Sequence, residues 1–141
     1  MKKKTRVRRA FTLVELLVVI VIISMLAAFV APNVIKHIGK AKVDLAKPRM
    51  AIIEDALTRF YADCGRYPTD SEYPDALLAD PGNTTGWNGP YIKQSQLLDP
   101  WGNPYIYVAQ GTVNPGSFDL VCLGADGQEG GEGENADIYN D

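Results

Sequence analysis

Glu15 is a carboxylate set at the entrance of an apolar run. From Leu16 to Ala31 there is no charged side chain, and Ser24 is the only polar one. An ionised carboxylate at the centre of a bilayer costs roughly 2.5–3.5 kcal/mol, and less near the interface. One turn into a helix, Glu15 would lie in the cheaper zone. Two readings stand: a water-reached interfacial glutamate, or a carboxylate awaiting a cation. A cut between Ala10 and Phe11 would create an α-amine four residues from Glu15. Two such helices side by side could then pair the amine of one with the glutamate of the next.

A second group of chemically capable residues closes the chain. Asp126, Glu129, Glu132, Glu134 and Asp137 are interleaved with five glycines between Leu123 and Asp137. Carboxylates and backbone carbonyls are the ligands that calcium takes, and glycines let carbonyls turn inward. The spacing is not that of an EF-hand, so a solvated acidic tail is the competing reading. The two cysteines, Cys64 and Cys122, form no CxxC and join no Cys/His cluster, which excludes zinc and thioredoxin-like readings. In an exported domain they are candidates for a disulfide, worth roughly 4 kcal/mol for so long a loop; the alternative is two small residues that never meet. His37, the single histidine, reads as a solvated helix position, and no nucleophile–base pair stands out. An enzyme is the weakest class.

The elements that would position these groups follow from pattern. With Phe11 to Val14 the apolar segment is about 21 residues, or roughly 31 Å as a helix, which spans a hydrocarbon core. Lys2, Lys3, Lys4, Arg6, Arg8 and Arg9 flank one end only, which places the N-terminus in the cytoplasm and the remainder across the membrane. An ordinary secretory signal, cut after Ala28 or Ala31, and an uncleaved anchor are the rival readings. The formal charge of the 141 residues is −3; without the six basic residues of the leader it falls to −9. So acidic an exported body excludes nucleic acid as a partner and invites cations.

Beyond Pro32, Val34, Ile38, Ala41 and Leu45 recur at helical spacing, as do Ile53, Leu57, Phe60 and Cys64. They predict one amphipathic helix to about Asp63, bent at Pro32, kinked or broken near Lys47 by Pro48, and ended by Gly65. Residues 67–104 are rich in proline and glycine and read as a loop. It is expected to hold a helical turn at Asp75–Ala79 and to pack down through Trp87, Tyr91, Leu97, Leu98 and Trp101. Tyr105–Val108 and Phe118–Leu123 read as an antiparallel pair, with Pro90–Ile92 a candidate third strand. The expected class is α+β: a long helix packed on a small antiparallel sheet.

The basic leader followed by Phe11-Thr12-Leu13-Val14-Glu15-Leu16 and an apolar helix resembles the type IV pilin-like precursors. Gly65-Arg66-Tyr67-Pro68-Thr69, Asp99-Pro100-Trp101-Gly102-Asn103-Pro104-Tyr105, Leu123-Gly124-Ala125-Asp126-Gly127 and Ala136-Asp137-Ile138 are similar to the major pseudopilins of type II secretion, the general secretion pathway protein G family. The resemblance implies a cut between Ala10 and Phe11 by a prepilin peptidase, N-methylation of Phe11, and Glu15 as the assembly carboxylate. It implies residues 1–10 as a removed leader, 11–31 as a transmembrane and filament-core helix, 32–64 as its amphipathic continuation, and 65–141 as the globular region. It implies one Ca2+ in the C-terminal loop, with Asp126 and Asp137 as side-chain ligands and Leu123 and Gln128 as carbonyl donors.

The implied partners are further copies of the chain, minor pseudopilins and an inner-membrane assembly platform. The implied location is the bacterial inner membrane, then a periplasmic filament. Ala10 stands where the family usually has glycine, Tyr139-Asn140-Asp141 lacks the usual terminal tryptophan, and Cys64 and Cys122 replace commoner polar residues. A type IV pilin of an adhesion or motility pilus is the alternative within the class. A membrane-anchored or exported calcium-binding module is the alternative outside it.

Overall fold

The structure, a computed structural model, describes residues 10–140; leader positions 1–9 and Asp141 lie outside the described residues. Backbone contacts divide the chain into two compact units, Met1–Ile38 and Gly39–Asp141. Helix α1, Leu13–Cys64, supplies residues to both. In the first unit every α1 side chain from Leu13 to Ile38 is exposed. In the second, Ala46, Met50, Ile53, Leu57 and Phe60 are buried at spacings that keep them on one face.

Two expectations for this helix need correction. Val34, Ile38, Ala41 and Leu45 are exposed, because they face away from the residues that cover this part of the helix; the hydrophobic core begins only at Ala46. No break occurs near Lys47: the helix is continuous through Pro32 and Pro48. Pro48 is exposed, so water can serve the carbonyl its ring leaves unbonded, and burial of Ala46 and Met50 on either side holds the turn. Gly65 ends the helix as expected, at φ +72° with its N–H on the Tyr61 carbonyl at 2.8 Å.

Strands β1 (Ile106–Val108), β2 (Asp119–Cys122) and β3 (Ile138–Tyr139) form an antiparallel sheet in the order β1-β2-β3. Tyr107 pairs with Leu120, and Cys122 with Ile138. Tyr105, Tyr107, Phe118, Leu120 and Cys122 join Met50, Ile53, Leu57 and Phe60 of α1 in one core. The third strand is therefore not Pro90–Ile92 but a segment beyond the acidic loop. Tyr91 sits inward instead, its N–H on the Leu77 carbonyl and its hydroxyl donating to Asp63 at 2.9 Å. The turn expected near Asp75 is helix α2, Asp75–Leu78. Trp87, Leu97 and Trp101 pack on the core as expected, whereas Leu98 is 40% exposed.

Buried polar groups fasten the loops. Asp119 accepts from the amides of Thr112, Val113 and Asn114. Burial raises its pKa, but these amides reverse that and the net direction is down. Arg66 grips Glu72 through two bonds of 2.7 and 2.9 Å. That grip, with the Thr69 amide, holds Glu72 at about 2. The cysteines are free rather than bridged, which corrects the disulfide expectation. The Cys122 thiol is turned toward Asp99 Oδ2 at 3.4 Å, and burial pushes it up to about 11, so it remains a donor at neutral pH.

Two measurements check these arrangements. Glu72 titrates lower when folded than when unfolded, so its contribution is present above about pH 4.5. That contribution is lost as pH falls toward about 2. Melting temperature should drop across that window, and Glu72→Gln should flatten part of the drop. At neutral pH the substitution should cost about 1 kcal/mol, reduced by solvent screening at Arg66. Thiol counting on the unfolded chain without reductant should return two thiols; an intact mass lower by about the two hydrogens lost in a bridge would refute the free assignment.

Candidate functional site

The head of α1 is built by a reciprocal cap. Thr12 precedes the first helical residue, and its hydroxyl accepts the Glu15 N–H at 3.1 Å. Glu15 reaches back, its Oε2 accepting the Thr12 N–H at 2.9 Å and the Thr12 hydroxyl at 3.1 Å. Such a box satisfies donors that helix geometry leaves without partners. Ala10, Phe11, Thr12 and Glu15 line one cleft, with Phe11 85% exposed. The structure thus brings the expected cut site and the expected carboxylate together. Thr12 was missed as a partner, although Thr-x-x-Glu is itself a legible capping pattern.

Behind the cap the helix is long and apolar enough to cross a membrane, and none of its most apolar window is buried. Ser24, its one hydroxyl between Leu16 and Ala31, donates to the Ile20 carbonyl at 2.7 Å. Asn33 returns its side-chain amide to the Phe29 carbonyl at 3.5 Å.

The acidic loop connects β2 to β3. Its ends are drawn together by the Ala125 N–H on the Glu134 carbonyl at 2.8 Å. Asp137 Oδ2 accepts the Gly130 N–H at 2.9 Å, while its Oδ1 is buried and has no hydrogen-bond partner. A buried carboxylate oxygen without a donor is costly unless a cation serves it. Asp137, Leu123 and Glu129 line a common cleft of about 220 Å³ on the sheet. Asp126 and Gln128 are not among its walls; Asp126 Oδ1 accepts the Gln128 N–H at 3.2 Å. Among the described residues no three carboxylate, imidazole or thiol side chains converge, so a cation here would draw on backbone carbonyls as well. The donors are all hard oxygens, and the orphaned Asp137 oxygen fits calcium. Glu129 was not singled out as a ligand in the sequence, because β3 is what brings Asp137 beside it. His37 is exposed on α1.

Family models match at both ends. Residues 33–141 match the model described as type II secretion system (T2SS), protein G, and residues 5–31 match the prokaryotic N-terminal methylation motif. The chain belongs to the type II secretion system protein G family. Its similarity to type II secretion system core protein G of Pseudomonas aeruginosa is 44% identity over 96% of each chain. For the Vibrio cholerae protein of the same name the identity is 43%, over 98% of this chain and 94% of that one. In structure it is similar to the major pseudopilin from the type 2 secretion system of enterohaemorrhagic Escherichia coli. That match has a TM-score of 0.59 and 27% identity, covering 77% of this chain and 94% of that chain. Membership decides for the secretion branch over an adhesion or motility pilin, and the expected α+β class holds: a long N-terminal helix and a small antiparallel sheet. The family is one of structural pseudopilin subunits.

The cap makes a local prediction. Thr12→Ala removes both hydroxyl bonds and should cost about 1 kcal/mol of helix-end stability. Hydrogen exchange at the amides of residues 13–16 should then speed up about fivefold in micelles. Unchanged exchange would show that the cap does not hold the helix end.

Proposed function

We propose that the chain is the major subunit of a periplasmic pseudopilus that drives folded proteins across the outer membrane. The observation that carries this reading is a carboxylate held at the head of a helix whose apolar side chains are all exposed from Leu13 to Ile38. A single chain cannot satisfy such a helix in water, but lipid or neighbouring helices can. The precursor spans the inner membrane once, with its N-terminus in the cytoplasm and the residues after Pro32 in the periplasm. Prepilin peptidase cuts between Ala10 and Phe11, and Phe11 is N-methylated. In the filament Glu15 faces the Phe11 amine of a neighbour, where two opposite charges in a poorly hydrated setting attract strongly. Minor pseudopilins and an inner-membrane platform are the other partners, and the role is structural rather than catalytic.

The acidic loop is proposed to hold one calcium ion through Asp126 and Asp137, with the Leu123 and Gln128 carbonyls. Bound there, the ion would supply positive charge against carboxylates that otherwise repel. Asp137 orients its partnered oxygen on the Gly130 amide and leaves the other for the cation.

Intact mass of the protein from native membranes tests the reading. It should show an N-methylated Phe11 start; an intact leader, or a start after Ala28, would instead favour an anchored or exported calcium module. Glu15→Ala should leave processing and melting unchanged and cut filament yield at least about tenfold; normal filaments would remove Glu15 from assembly. Calcium should raise the melting temperature over the chelated protein by about 4 °C or more, and Asp126→Ala should abolish the rise. Equal melting with and without calcium would leave the loop as solvated acid.

A further inference from the structure

Gly39 is the first buried residue of α1, although Ile38 and Lys40 on either side are exposed. What covers it comes from the acidic loop. A methyl group built on Gly39 would collide with the carboxyl carbon and both carboxyl oxygens of Glu134. The Glu134 side chain thus occupies the space that any side chain at position 39 would fill.

The backbone behind Glu134 is equally confined. A methyl on Gly124 would meet the Glu134 carbonyl oxygen at 2.6 Å, and one on Gly131 would meet the Asn135 carbonyl oxygen at 2.6 Å. Both glycines have positive φ, +67° and +90°, so neither accepts a side chain easily. The Glu134–Asn135 turn is therefore held between two glycines of its own loop and one glycine of the helix. It lies two residues before Asp137, the residue with the unpartnered buried oxygen. A glycine in a helix interior disfavours the helix by about 1 kcal/mol relative to alanine. Gly39 takes no left-handed conformation that would require glycine. Space is the remaining reason for it.

We propose that Gly39 and Glu134 are positioning residues for the cation loop, with Gly39 as the seat on α1 into which Glu134 lays its carboxyl group. The inference rests on the calcium reading of that loop. The seat fixes the Glu134–Asn135 turn against the helix and so sets where Asp137 stands when a cation arrives. Through the same contact, ordering of the loop is transmitted to α1 one residue beyond Ile38.

A double-substitution cycle on the full chain in detergent micelles tests it, using Gly39→Ala, Glu134→Ala and both together. The first readout is melting in excess chelator. With Glu134 truncated, Gly39→Ala should act as an ordinary helix substitution and raise the melting temperature by about 4 °C or more. With Glu134 present, the gain should vanish or reverse. An equal gain in both backgrounds overturns the seat. The second readout is calcium titration followed by exchange protection of residues 40–46 and of the loop. Gly39→Ala should weaken apparent calcium affinity at least about fivefold, and should change nothing once Glu134 is truncated. A coupled cycle with unchanged calcium affinity overturns the positioning role. If the unaltered protein shows no calcium response at all, the metal reading fails, while the chelator arm still decides the seat on its own.

Discussion

The fold depends on covering one helix face. Met50, Ile53, Leu57 and Phe60 are at most 2% exposed, and the same helix carries a fully exposed apolar stretch ahead of them. Each of these four side chains, once covered, contributes on the order of 1.5–3 kcal/mol. The sheet and its flank supply the cover through Tyr107, Leu120 and Phe118, with Tyr67 edge-on to Phe118 and Tyr73 stacked on Tyr107. Where the apolar cover stops, at Ala46, the helix continues with only the Glu134 carboxyl group laid on it at Gly39. The chain is thus a protein with a complete core and an incomplete helix, and its family role resolves that contrast.

The loops are fastened to this core by main-chain acceptors. Arg49 on α1 donates to the carbonyls of Leu98 and Asp99, and Arg59 donates to that of Tyr91 at 2.7 Å. Tyr105 and Tyr107 donate to the carbonyls of Ala46 and Pro68, and Trp87 to that of Ala76. Most of these acceptors belong to the loop backbone, so the loop's own exposed side chains are not what holds it.

Much of this was legible in the sequence where the signal is local. The run from Leu16 to Ala31, the spacing of Ile53, Leu57 and Phe60, the turn at Gly65 and the two longer strands all follow from periodicity and turn chemistry. The misses share a different cause. Strand β3 is two residues long and too short to show a period; only its pairing with β2 defines it. The Glu134 seat joins residues distant in sequence, and the amides of Thr112, Val113 and Asn114 that close on Asp119 come from an irregular turn, where no pattern marks them. Pro48 misled because propensity measured in isolated helices omits the burial of Ala46 and Met50 beside it. For the candidate sites, residue types and neighbourhoods were readable at both ends of the chain. The partnering of Thr12 with Glu15, and the orphaned oxygen of Asp137, required coordinates.

Ser24 returns its hydroxyl to Ile20, and Asn33 its amide to Phe29. The exposed helix therefore carries its polarity internally and presents hydrocarbon on all sides between Leu16 and Ala31. To such a surface, acyl chains and packed helices are nearly equivalent solvents, since neither has to supply a hydrogen bond. Transfer from one to the other is close to an exchange between like liquids, with little wetting free energy on either side of the balance. In the filament proposed above, what would remain to set the stagger between helices is the ionisable group at the top, Glu15. A featureless shaft with one charged notch would then slide freely until the notch met its counter-charge.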